Sequence, residues 1–250
     1  MAAAEGEQHR VGRVAVGDDE FLAASRMGYA GEELSAHVMF ASAPKGGSVV
    51  GLRSPRGRIL QEGDGVTTAV SYWGGLSSRA GLLSRGEDTF LAIAKAYFAG
   101  LLSWYDTVDI GVSGDVIHNT VVETLARGNL KPALNPGHLV GHDEWMHSPI
   151  RPGSTETIRS GMPFQVDIIP TPMPAGWALN NEDAVSFADE ALRAELARLY
   201  PAVWARIEAR RKFMADVIGC ELKPSILPIS STPLCLPPFW LSPDQLLARD

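Results

Sequence analysis

The sequence predicts an α+β domain, and three observations carry that prediction. A run rich in β-branched residues, Val66–Tyr72, reads as a strand. A long amphipathic stretch and a second helix-forming stretch follow it. The chain then returns to strand character at Pro163–Ile169 before two further helices. Strands, a helix pair, strands and another helix pair is an order suited to antiparallel sheet covered by helices.

The elements follow in chain order. Asp18-Asp-Glu20 opens a short helix over 18–27, its acids placed favourably at the helix start. Residues 36–42 and 48–52 have strand character about a Lys45-Gly46-Gly47 turn. Turns follow at Ser54-Pro55-Arg56-Gly57 and Gly63-Asp64-Gly65, and Gly74-Gly75 marks a bend after the 66–72 strand, with Ala80–Leu83 resuming it. From Glu87 to Trp104, Phe90, Ile93, Ala94, Tyr97, Phe98, Leu101 and Leu102 recur at three- and four-residue spacing, which predicts a helix. A second helix is predicted over 114–127, capped by Ser113 or Asp115 and ended by Gly128. Helices over 188–199 and 201–218 follow, the latter opened by Pro201 and closed by Gly219. The expected organisation is a polar N-terminal segment (1–17), one folded domain (18–219), and a proline-rich segment (220–250) draped over it.

Composition narrows the function classes. With 45% hydrophobic residues in 250, the chain can bury a sizeable core. The net charge of −7 argues against nucleic acid, which requires a basic face. No apolar run reaches the roughly 18–20 residues that span a bilayer, so no membrane partner is expected. Only Cys220 and Cys235 are present, which fits a reducing, cytoplasmic compartment better than a disulfide scaffold.

The chemistry-bearing residues concentrate in 135–182. His138, His142 and His147 lie within ten residues, with Trp145 among them. Histidines four apart share one face of a helix, as in zinc helices, but Pro136-Gly137, Gly141 and Ser148-Pro149 disfavour a helix here. A strand-and-loop segment is predicted instead. Asp167 sits in the apolar run 164–169, and Glu182-Asp183 enters another. A buried acid requires a partner or a metal. Two readings stand: these acids pair with arginines such as Arg79, Arg151 or Arg159, or they form a site.

The order of these pieces resembles the creatinase/methionine-aminopeptidase family, the pita-bread fold that includes Xaa-Pro aminopeptidases and prolidases. The resemblance rests on Gly137-His138-Leu-Val-Gly141, His147, Gly161-Met162-Pro-Phe-Gln-Val-Asp167 and Asn181-Glu182-Asp183-Ala-Val185, with Arg58-Ile-Leu-Gln-Glu-Gly63-Asp64 upstream. It implies His138, Asp167 and Glu182 as metal ligands, Asp167 standing where a glutamate is usual. It implies His147 as the second histidine, which contacts substrate, and His138 or His147 with Glu182 as acid–base groups; His142, Trp145 and Arg79 are the further candidate substrate contacts. It also shows departures. The family's two further ligand aspartates should fall at Ala69 and at Gly75 or Leu76, and neither position has a carboxylate.

The resemblance therefore implies a divergent hydrolase acting on a C–N bond of a peptide or small amide. It would use one divalent ion (Mn, Zn, Fe or Co) or none. A second reading is a degenerate domain that binds a peptide or a protein partner, and a third is a lyase or other small-molecule enzyme built on the same pocket. A homodimer is compatible with all three.

Overall fold

The computed structural model describes residues 14–27, 34, 36–49, 51–72, 75–141 and 147–249. The first helix, α1 (Glu20–Ser25), begins where expected, with the Asp19 carboxylate accepting from Leu22 N–H at its N-terminus. The strands β1 (Met39–Ala43), β2 (Gly65–Tyr72) and β3 (Gly75–Leu82) form an antiparallel meander in which Met39 pairs with Ala69 and Ala69 with Ser78. The expected strand at 48–52 does not form. Its described residues are loop and turn, because Gly51 weakens a strand and Phe40 N–H donates to Arg53 carbonyl beyond the segment.

The long amphipathic stretch forms α2 (Asp88–Thr107), which packs on α3 (Gly114–Ala126). The Glu87 carboxylate accepts from Phe90 N–H and caps α2. Phe90, Tyr97, Leu101 and Trp104 of α2 share one core with Ile117, Val121 and Leu125 of α3. The short strands β4 (Lys131–Pro132) and β7 (Pro170–Thr171) pair with each other. The other short strand, β5 (His138–Leu139), pairs with β6 (Pro163–Val166).

The organising strand is β8 (Asn180–Phe187). It joins the two groups of strands, giving a sheet in the order β1-β2-β3-β8-β6-β5. Its first half pairs with β3 and its second half with β6. The helices α4 (Glu190–Leu199) and α5 (Pro201–Phe213) follow, with Pro201 at the first turn as predicted. A π-helical turn, Met214–Ile218, extends α5 and ends at Gly219, whose φ of 74° is the left-handed cap conformation.

The C-terminal segment does more than drape. It adds β9 (Ile226–Pro228) to β8, and it buries Leu234, Leu236, Phe239 and Trp240. Trp240 N–H donates to the Leu82 carbonyl at 2.9 Å, which fastens the segment to β3.

Two buried ion pairs fix the frame. Arg79 on β3 meets Asp183 on β8 at 2.8 Å, with the two side chains 3% and 0% exposed. The remaining Arg79 donors go to carbonyls of Cys235, Thr232 and Glu182, while Asp183 also accepts from Asn181 Nδ2 and Leu234 N–H. The pair thus locks β3, β8 and the C-terminal segment together. On α1, Glu20 is buried and held by Arg53, Ser42 and the Arg56 backbone N–H.

Two outcomes follow for stability. Removing one partner of the Arg79–Asp183 pair strands the other charge, so Asp183→Leu lowers the unfolding free energy in urea by about 3–5 kcal/mol. The second concerns acid. Burial alone would raise the Glu20 carboxyl, but the hydrogen bonds from Arg53, Ser42 and Arg56 outweigh it and leave its pKa lowered. A carboxylate with a depressed folded-state pKa stabilises the fold above its unfolded value, and this contribution is lost as the pH falls through the folded value. Urea titrations from neutral pH downward should show the wild type and Glu20→Gln converging as the solution is acidified.

Candidate functional site

The site is assembled by strand alternation. Successive side chains on a strand point to opposite faces. On β8, Asn181 and Asp183 share the face that carries the Arg79 pair, and Asn180 and Glu182 point the other way, into a pocket. On β2 and β3 the same rule sends Thr67, Ala69, Leu76, Ser78 and Ala80 into that pocket. β6 ends at Val166, one residue before Asp167 enters the pocket from its end.

His138 reaches this point from β5. Its strand is paired with β6, His138 opposite Gln165. The preceding turn is held by Trp104 Nε1–H to the Pro136 carbonyl at 2.9 Å and Ser148 Oγ–H to the Gly137 carbonyl at 2.6 Å. Gly137 is needed there: its φ is +107°, and a Cβ would lie 2.8 Å from the Gln165 carbonyl oxygen.

The three groups converge. His138, Asp167 and Glu182 each offer a ligand atom within 4.8 Å of the others, and all three residues are buried. His138 Nε2 lies 3.7 Å from Glu182 Oε1 and 4.0 Å from Asp167 Oδ2. Its Nδ1 sits 2.9 Å from the Leu139 carbonyl, which can only accept, so Nδ1 carries the proton. Nε2 then presents a lone pair toward two carboxylates. That arrangement is the one in which metal-binding histidines are held by a carbonyl on their far nitrogen. The separations exceed a hydrogen bond. They suit ligands grouped around one ion with bonds of roughly 2.0–2.2 Å.

The residues fit one ion and not two. A two-ion site requires bridging carboxylates that hold the ions roughly 3.5–4 Å apart. Ala69 and Leu76, buried to 4% and 3% exposure, pack against Met39 instead. The pocket in front of them has a volume of about 420 Å³.

Nearby groups set the electrostatics. Tyr97 Oη accepts from Asn181 N–H at 2.9 Å. Burial pushes its phenol well above the ordinary tyrosine range, and the charges of Asp167 and Glu182 act in the same direction.

The other expected site residues separate from this group. Arg79, expected to touch substrate, is instead enclosed: its guanidinium is 3% exposed and is spent on Asp183 and four backbone carbonyls. The pairing reading was thus right for Asp183, whereas Arg151 pairs with Glu156 on the surface. His147 is exposed, and its carbonyl accepts from Leu139 N–H at 2.8 Å, which keeps its backbone beside His138. His142 and Trp145 lie outside the described residues. Sequence reasoning did not find Leu134, Met173, Trp177 and Leu179, which line the pocket. One signal was available: the Pro170–Pro174 stretch followed by Gly176 must fold back, and Gly176 lies so close to Pro44 that a Cβ would meet its carbonyl oxygen at 2.0 Å.

No family model matches the sequence, and no curated protein matches it. Solved structures do. An Xaa-Pro aminopeptidase from Thermotoga maritima superposes with a TM-score of 0.60 at 16% identity, over 75% of this chain and 55% of that one. A dipeptidase, PepE, from Mycobacterium ulcerans gives 0.59 at 25% identity, over 74% and 53%. A variant of Escherichia coli aminopeptidase P gives 0.62 at 14% identity, over 75% and 50%. The chain spans about half the length of these structures. In fold, it is similar to the Xaa-Pro aminopeptidases, prolidases and dipeptidases, and it has the pita-bread architecture that its histidine and acid segments implied.

Proposed function

We propose that this chain is a divergent hydrolase that cleaves a C–N bond in a peptide or small amide, using one divalent cation. The observation that carries the reading is the convergence of His138, Asp167 and Glu182 where a 420 Å³ pocket ends. The solved structures of similar fold, named as peptidases, support the peptide or amide class.

His138 Nε2, Asp167 and Glu182 would hold the ion, Mn, Zn, Fe or Co by the donor set. Such an ion supplies Lewis acidity toward a carbonyl and a water whose pKa is lowered toward neutrality. The chain's own residues do the rest. The Leu139 carbonyl fixes the His138 ring, so its lone pair points at the site without reorganisation. Glu182, aimed inward by β8, takes the proton of the attacking water and returns it to the leaving nitrogen. Its neighbour Asp183 cannot share this role, because Arg79 holds it on the opposite face. His147 is exposed and lies outside the pocket lining, so no proton-transfer step is assigned to it; His142 and Trp145 are assigned substrate contacts. The apolar lining excludes competing water from the reacting bond. A cytoplasmic location accords with the two thiols, and no helix of the described residues is long and apolar enough to cross a membrane.

One observation favours a second reading. Ala69 and Leu76 turn one wall of the site apolar, which suits a domain that binds a peptide without cleaving it.

Protein purified without chelator should carry close to one equivalent of divalent metal by mass spectrometry. His138→Ala should release it and lower kcat/KM for a cleaved amide by about 10²–10⁴-fold. Absence of metal, together with unchanged hydrolysis in the variant, would overturn the reading. Saturable peptide binding with no turnover at any metal would establish the binding domain instead.

A further inference from the structure

We infer that the pocket selects amides bearing a long, uncharged apolar group, and that it disfavours ligands ending in a carboxylate. This rests on the proposed site but concerns what the site accepts rather than whether it cleaves.

The lining is divided in charge. Among the described residues around the pocket, Asp167 and Glu182 carry the only formal charges, and both lie at the site. No lysine or arginine is among the described lining residues. The pocket's apolar lining includes Ala69, Leu76, Met173 and Trp177, with Thr67, Ser78 and Asn180 as its uncharged polar members. Trp177 is held edge-on against Phe90, its ring centroid 5.4 Å away, so this side of the pocket is anchored to the core.

The mouth continues the apolar surface. Leu52 and Leu134 are each 58% exposed and Ile169 is 37% exposed, and all three border this one pocket. Apolar side chains left in water at a concave opening are stabilised when a ligand covers them. A covering group that meets Leu76, Leu52 and Leu134 is therefore best matched by apolar carbon. A carboxylate placed there would lose its hydration and meet no cation among the described lining residues. It would also face the two acids already present. The adjoining concavity, which shares Leu52, does contain arginines. Arg53 and Arg58 are held by Glu20 and Asp64, leaving Arg56 as its exposed cation.

The geometry thus points to an amphiphilic amide. Its amide unit lies at Asp167 and Glu182, and its apolar tail runs along Leu76 and Trp177 to the rim. Ala69 and Leu76, which stand where the resemblance expects carboxylates, become specificity-determining residues.

The test is calorimetric titration of the intact protein with glycine n-alkylamides from propyl to heptyl, compared with glycyl-6-aminohexanoate. Affinity should tighten by about fourfold per methylene, the value for burying apolar carbon. The ω-carboxylate compound should bind at least about tenfold more weakly than the hexylamide of similar length. Leu76→Asp should flatten the length dependence. Leu134→Ala, at an exposed rim position, should reduce it only for the longest tails, and it guards against a Leu76 variant that fails to fold. Affinity independent of tail length would overturn the inference. So would equal or tighter binding of the carboxylate, which would place the ligand's end at Arg56. Because the readout is heat of binding, length-dependent binding without turnover upholds this inference and counts against the hydrolase. Turnover without length dependence does the reverse.

Discussion

The buried pair between Arg79 and Asp183 is the constraint on which the rest of this structure depends. It ties β3 to β8 and, through the carbonyls of Thr232 and Cys235, draws the C-terminal segment into the core. Two charges withdrawn from water are tolerable only with excellent geometry and every donor satisfied. Both carboxylate oxygens of Asp183 are engaged, and Arg79 is engaged on all three nitrogens. With Asp183 fixed on one face, the two-residue period of a strand leaves its neighbour Glu182 on the other. A structural ion pair therefore aims a carboxylate of the candidate site.

The site so aimed is asymmetric. On one side stand His138, Asp167 and Glu182, close enough to share an ion. On the other stand Ala69 and Leu76, packed on Met39. Ala69 and Leu76 give that side of the pocket apolar surface that a ligand can cover. The same 420 Å³ space thus has a charged end and an oily wall, and the two ends ask different things of one molecule. Exposed Leu52 and Leu134 extend the oily side to the solvent.

Much of this was legible in the sequence, and for definite reasons. The helix α2 was marked by its spacing of Phe90, Ala94, Tyr97, Phe98 and Leu101, all of which are buried. β2 was marked by β-branched residues, and α5 by Pro201. The trio was legible because three separated motifs kept a familiar order. What remained hidden depended on tertiary choice. Glu182 and Asp183 are adjacent acids, and only strand pairing decides which meets Arg79. The segment 48–52 has strand composition, yet its described residues are loop and turn, with Val49, Gly51 and Leu52 lining the pocket. Trp177 and Leu134 carry no motif, and they reach the pocket only because loops fold back over the sheet. Asp167 was placed within a strand, and the structure instead ends β6 at Val166, which frees the acid to turn inward.

The central claim is that this fold retains one cation position and has given the place of a second to an apolar wall. Crystals grown with manganese, with diffraction collected at an energy where manganese scatters anomalously, test it most directly. The account predicts one anomalous peak, bounded by His138 Nε2, Asp167 and Glu182, with no peak against Ala69 or Leu76. Two adjacent peaks, or none among those three residues, would contradict it.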